Sequence, residues 1–193
     1  MGVAGGLETV VNEEFWAEIA PCEHLVQIYS SEDVFLDSLE GFVAGGIAAD
    51  DAVIVIATPE HRGELEQRLV ARHIDVPAAR LSGSYLPLDA HETLAQFMVD
   101  GWPDDDRFND LIARLLSRPR REGRRVRAFG EMVALLLAGG HKGATVRLEY
   151  LWHKLCEVER FSLLCAYPKS GFRRDPSALL HDIFAAHSKV VPG

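Results

Sequence analysis

The sequence predicts an α/β fold, a mostly parallel central sheet flanked by helices, and three stretches carry that reading. VRAFGEMVALLLAGGHKGATVRLEYLWHKLCEVERFSLLCAYP, from Val126 to Pro168, reads as strand, turn with a charged residue at its tip, helix and strand. AVIVIAT is apolar without alternation, which suits a strand covered on both faces. HLVQIYS is followed at once by apolar residues at helical spacing, so a strand leads directly into a helix.

Taken in order, residues 1 to about 20 read as a tail or short extra helix anchored by Phe15, Trp16 and Ile19, and residues 21–193 as one domain. HLVQIYS is the first strand. Ser30 and Asp33 form a capping-box pattern ahead of Phe35, Leu36, Leu39, Phe42 and Val43, and the helix is expected to stop at Gly45 and Gly46. After the strand AVIVIAT, Thr58 caps a second helix with Pro59 in its first turn, carrying Leu65 and Leu69 inward and ending near His73. A weaker strand is expected in ARLSGSYL, then a helix from Leu88 to Val99 broken by GWPDDD. A helix from Phe108 to about Leu116 leads into an arginine-rich connector, followed by the strands VRAFG and FSLLCAY with two helices between them. A last helix, capped by Asp175, presents Leu180, Ile183, Phe184 and His187 on one face.

At 193 residues, with 48% hydrophobic and 25% charged residues, the composition is that of a globular domain able to bury a core. The apolar runs are too short to span a bilayer, and the N-terminus lacks the features of a secretory signal, so a cytoplasmic location is expected. A net charge of −9 argues against general nucleic-acid binding. Seven arginines between Arg114 and Arg127 are the local exception. They read as a solvated helix end or as a docking patch for an acidic partner or a phosphate, with Arg120, Arg121, Arg124 and Arg125 as its centre. Cys22, Cys156 and Cys165 form no CxxC pair, and Cys165 reads as a small buried hydrophobe.

The usual catalytic signatures are missing. After the first strand the turn is SSEDVF, where Glu32 and Asp33 would repel a triphosphate, and GGHKGAT reads as a helix-to-helix turn. HETLA lacks the second histidine of a metalloprotease, there is no GxSxG elbow, and the eight histidines show no ligand spacing, so neither a metal nor a cofactor is expected. His187 on its apolar face reads as a satisfied core histidine. Glu131 sits where a strand ends and a helix begins, the place where parallel sheets build sites. It reads as a helix cap, as an ion-pair partner of Arg127 or Arg147, or as a site residue. Glu149 and Trp152 share one helix and either belong to the core or line a pocket. Tyr29 and Tyr167 end two strands and are the first candidates for pocket walls.

HLVQIYSSEDVFLDSLEGFVAGGI, LDAHETLAQFMVDGWPD, VRAFGEMVALL, LEYLWHKL and FSLLCAYP together resemble the MEDS sensory domain of regulators in methanogens and methylotrophs, from roughly Glu23 to His187. The resemblance implies a three-layer, degenerate RecA-like fold that senses a small molecule or signal and occurs alone or fused to signalling proteins. It also marks His24, at the start of the first strand, which otherwise reads as a residue hydrogen-bonded at the strand's beginning. The expected function is a non-catalytic sensory domain whose ligand-binding residues are His24, Tyr29, Arg127, Glu131, Glu149, Trp152 and Tyr167. Its expected partners are a small molecule and a separate signalling protein such as a histidine kinase or transcriptional regulator, since no output domain follows in the sequence. No membrane or nucleic-acid partner is expected, and exposed apolar residues on the terminal helices are compatible with a homodimer. The alternatives are a divergent nucleotide-binding enzyme using Glu131 as acid, or a ligand-free interaction module.

Overall fold

A computed structural model of the chain describes residues 15, 16, 18–172 and 176–193, the side chains of 176–178 excepted. In chain order the elements are β1 (His24–Tyr29), α1 (Glu32–Ala48), β2 (Ala52–Ala57), α2 (Pro59–Ala71), α3 (Val76–Ser82), β3 (Tyr85–Asp89), α4 (Ala90–Ala95), β4 (Met98–Val99) and β5 (Trp102–Pro103). They continue with α5 (Asp105–Arg121), β6 (Val126–Gly130), α6 (Met132–Ala138), α7 (Lys142–Glu159), β7 (Ser162–Pro168), a 3₁₀ turn (Lys169–Phe172), α8 (Pro176–Ala185) and β8 (Lys189–Val191). The central sheet has six strands in the order β3-β2-β6-β7-β1-β8, and every neighbouring pair is parallel.

Alternation along the strands divides the core into two layers. Val53, Val55, Phe129, Leu164 and Leu25 face α1, α2 and α3, while Ile54, Ile56, Ala128, Leu163 and Cys165 face α4 to α8. Chain connections leave β1 and β2 toward the first layer, and leave β6 and β7 toward the second. Neighbouring strands β1 and β7, and likewise β2 and β6, therefore send their chains to opposite faces. In a parallel sheet such points open a crevice beyond the carboxyl ends.

Several local expectations are corrected by the structure. Helix α1 is capped by Ser31, whose hydroxyl accepts the Val34 N–H at 3.4 Å, one residue beyond the expected cap. It also runs through Gly45 and Gly46 to Ala48. These glycines serve close packing: a Cβ at Gly46 would meet Val53 at 2.5 Å, one at Gly45 would meet the Trp16 backbone at 3.0 Å, and one at Gly41 would meet the Trp16 ring at 2.5 Å. Trp16, buried against them, fastens the N-terminal segment to the first layer. Helix α5 extends through the buried Pro119 to Arg121, so the first arginines lie on a helix rather than in a connector. The break after α4 is a small antiparallel hairpin of β4 and β5, turned at Asp100 (φ 50°) and Gly101 (φ 79°). Two successive left-handed residues match the right-handed twist of the strands, and Asp-Gly is the sequence that supplies them.

The α8 cap expected at Asp175 lies outside the described residues, as does most of the tail. Helix α8 ends at Ala185, which leaves His187 in the turn that leads to β8, a strand the sequence reading omits. Among the described residues no helix is long and apolar enough to cross a membrane.

Candidate functional site

The residues singled out from sequence fall into separate places. At the β2/β6 switch point, the Glu131 N–H donates to the Ile56 carbonyl at 2.9 Å, which fixes the residue over both strands. Its Oε2 accepts the Thr58 N–H at 2.8 Å and its Oε1 lies 2.8 Å from His61 Nδ1. On the far side of the ring, His61 Nε2 lies 3.1 Å from Glu32 Oε2 in the first turn of α1. Both ring nitrogens thus face carboxylates. The hydrogen bond to Glu131, helped by the charges of Glu131 and Glu32 and opposed by burial, raises the His61 pKa above its ordinary value. Glu131 does not cap α6 and, among the described residues, pairs with no arginine: its side chain makes no cap hydrogen bond, Arg127 pairs with Asp51, and Arg147 pairs with Asp105. The reason is position. Arg127 enters β6 at the opposite, amino end of the sheet, where Nε bonds Asp51 Oδ2 at 2.7 Å and a terminal nitrogen bonds the Trp16 carbonyl.

At the β1/β7 switch point lies an open cleft with a volume of about 720 Å3. Its walls come from the end of β1 and start of α1 (Ile28, Tyr29, Ser30, Ser31, Glu32), from the chain after β7 (Pro168, Lys169, Ser170, Phe172) and from α8 (Leu180, Phe184). Tyr29 lines it, with its ring stacked on Phe35 at 4.8 Å. Burial, together with the nearby Glu32 and Glu131 charges, pushes its phenol up, so it stays a neutral hydroxyl.

Tyr167 lies beneath this cleft instead of lining it. It belongs to a wholly buried cluster between β1, β7, α7 and the turn after α8, where its hydroxyl donates to Glu149 Oε1. Around Glu149 Oε2 stand His24 Nε2 at 3.4 Å, His187 Nε2 at 3.5 Å and Cys165 Sγ at 3.5 Å; Cys165 Sγ is also 3.5 Å from His24 Nε2. Three of the residues named from sequence, His24, Glu149 and Tyr167, therefore do meet. Cys165 and His187 were read as core fillers, and the sequence could not group them, because the cluster draws on four separate elements with no ligand spacing. Burial pushes the Cys165 thiol up and takes His187 down to about 4. Burial works against ionisation of Glu149 as well, yet the His187 and His24 rings and the Tyr167 hydroxyl hold its carboxyl below the usual range.

Trp152 packs in the second layer, edge-on to Phe108 at 4.8 Å and against Phe161 at 6.2 Å, in neither the cleft nor the cluster. Of the docking arginines, Arg120 pairs with Glu159, Arg124 with Asp50 and Arg125 with Asp51.

Residues 23–188 match the family model MEDS, the methanogen/methylotroph, DcmR sensory domain. The chain belongs to the MEDS family. The match spans both switch points and all strands of the sheet except β8, and it gives this MEDS chain a sensory or regulatory role. No curated protein matches the sequence.

Proposed function

We propose that this MEDS domain is a non-catalytic sensor that takes a small amphipathic molecule into the β1/β7 cleft and passes its occupancy to a separate signalling protein. The cleft at a topological switch point carries the reading. Ile28, Phe172, Leu180 and Phe184 offer an apolar body, and Tyr29, Ser31 and Lys169 a few polar groups at its mouth, the balance that small-molecule sites show. The cleft joins the start of α1 to α8, elements from opposite layers, so a ligand filling it alters how the two layers meet at the surface.

The same turn speaks against nucleotide chemistry. Where a phosphate loop would offer glycines and a lysine, α1 begins with Glu32 and Asp33 in its first turn. Glu131, a further acid at the carboxyl edge, is committed to Thr58 and His61.

The deciding experiment is a thermal-shift panel of small alcohols, halocarbons, ketones and short carboxylates, because a ligand of the folded state raises its stability by RT ln(1 + [L]/Kd). Compounds that stabilise the wild type are expected to lose their shift in Tyr29→Ala and Phe184→Ser. Hits that keep their full shift in both variants would place the site elsewhere. Magnesium-dependent ATP turnover abolished by Glu131→Gln would replace this reading with an enzyme.

A further inference from the structure

We infer that His24, Glu149, Cys165 and His187 form a closed four-coordinate site for a divalent transition metal of the zinc class. This inference stands apart from the cleft and does not depend on it.

Geometry is the first argument. The four ligand atoms all lie within 4.8 Å of one another. A tetrahedral ion with bonds of about 2.0–2.3 Å to nitrogen, oxygen and sulfur separates its ligands by about 3.3–3.7 Å. Of the six separations among the four atoms, those from Glu149 Oε2 to His24 Nε2, His187 Nε2 and Cys165 Sγ are 3.4, 3.5 and 3.5 Å, and that from Cys165 Sγ to His24 Nε2 is 3.5 Å.

Proton accounting is the second. His24 Nδ1 lies 2.8 Å from the Ala186 carbonyl and His187 Nδ1 lies 2.6 Å from the Ile183 carbonyl. A carbonyl can only accept, so both Nδ1 atoms carry hydrogen and each Nε2 atom is turned toward the cluster. Backbone carbonyls behind the rings are the usual outer support of metal-binding histidines. The Tyr167 hydroxyl occupies the other carboxylate oxygen, Oε1, in the same supporting role. Inside, the two Nε2 atoms, a carboxylate oxygen and the Cys165 sulfur converge on one point, and His187 Nε2, its side chain fully buried, has no hydrogen-bond partner among the described residues. A buried polar atom left without a partner away from water is unfavourable. A metal ion at that point supplies the missing partner.

Charge is the third. One thiolate and one carboxylate neutralise a divalent ion, leaving a neutral assembly where Glu149 is 1% exposed and Cys165 is 0% exposed. Binding is balanced by release of the Cys165 proton: M2+ and Cys–SH give M–S–Cys and H+. Imidazole, thiolate and carboxylate together favour Zn2+, Fe2+ or Co2+ over Mg2+ or Ca2+. The ion would tie β1, β7 and α7 to the turn after α8, and so steady one wall of the cleft.

The test uses the full chain, stripped of metal by a chelator under reducing conditions and titrated with Co2+ and Zn2+. Cys22→Ser/Cys156→Ser leaves Cys165 as the only thiol. In that background one equivalent of Co2+ is expected to give intense tetrahedral d–d bands and a sulfur-to-metal charge-transfer band, both displaced by Zn2+, with a raised melting temperature. Tyr167→Phe is expected to weaken binding about 10-fold. Folded protein that takes up neither ion, weak octahedral bands, or the absence of sulfur charge transfer would each overturn the assignment. So would survival of the charge-transfer band in Cys165→Ser, and if that variant does not fold, the single-thiol spectrum still decides.

Discussion

Glu131 Oε1 stands 2.8 Å from His61 Nδ1, and this contact locks the end of β6 to the first turn of α2 across a switch point of the sheet. The same carboxylate holds the N–H of Thr58, the residue that caps α2. An acid at the carboxyl edge of a parallel sheet thus works as a latch between strands and helix.

Replacing Glu131 with Gln removes the charge that favours the His61 imidazolium. The His61 pKa, raised in the wild type, is expected to fall toward the ordinary value of about 6.5. NMR titration of the ring protons measures it, and urea denaturation should show a loss of about 1–3 kcal/mol from the unbalanced hydrogen bonds.

The His61 interaction also gives stability a pH dependence. Because the folded pKa lies above the unfolded one, protonation favours the folded state: the contribution is complete below about 6.5 and disappears as pH rises through the folded value. Wild-type protein should lose stability across that window relative to His61→Asn, and the two curves should run parallel above it. Equal slopes throughout would remove His61 as the source.

Gly46→Ala puts a methyl 2.5 Å from Val53 Cγ2 and 3.1 Å from Arg127 Cδ. Overpacking of this kind costs about 1–3 kcal/mol. Gly63→Ala is the control, since nothing lies within 4 Å of its Cβ and it sits inside α2. There the change should stabilise by about 0.5–1 kcal/mol. Denaturation midpoints moving the same way in both variants would contradict this packing.

Among the described residues the Asp51 carboxylate has two arginine partners of unequal burial. Arg127 is 2% exposed at the side chain and Arg125 is 52% exposed. Arg127→Ala leaves Asp51 without its buried partner and should cost about 3–5 kcal/mol. Arg125→Ala should cost under about 1 kcal/mol. Chemical denaturation distinguishes them.

Thiol labelling reads burial directly. Cys165 and Cys156 are buried with their thiols pushed up, by burial first and by Glu149 next for Cys165. In native, metal-stripped protein a thiol reagent should react promptly with Cys22 alone, and with all three after unfolding. Fast labelling of Cys165 would contradict the buried cluster.

Strands β1, β2, β6 and β7 were legible because continuous apolar runs such as Ala52–Ala57 suit only a doubly covered strand. Thr58 with Pro59 marked the start of α2, for the cap chemistry is local. Other features were present but misread. Gly45 and Gly46 have the composition of a helix stop, and only the closeness of Trp16 and Val53 shows that they make room for neighbours. Asp100-Gly101 announced a hairpin that was read merely as a break.

By itself the sequence determined the parallel α/β class, most strand positions, the family and the missing phosphate loop, since each depends on residues close together in the chain. The tertiary structure alone decided which side chains meet. It separated Arg127 from Glu131, and it gathered His24, Glu149, Cys165 and His187 around one point. Strand order and crossover direction set those distances, and neither is encoded in the spacing between residues along the chain.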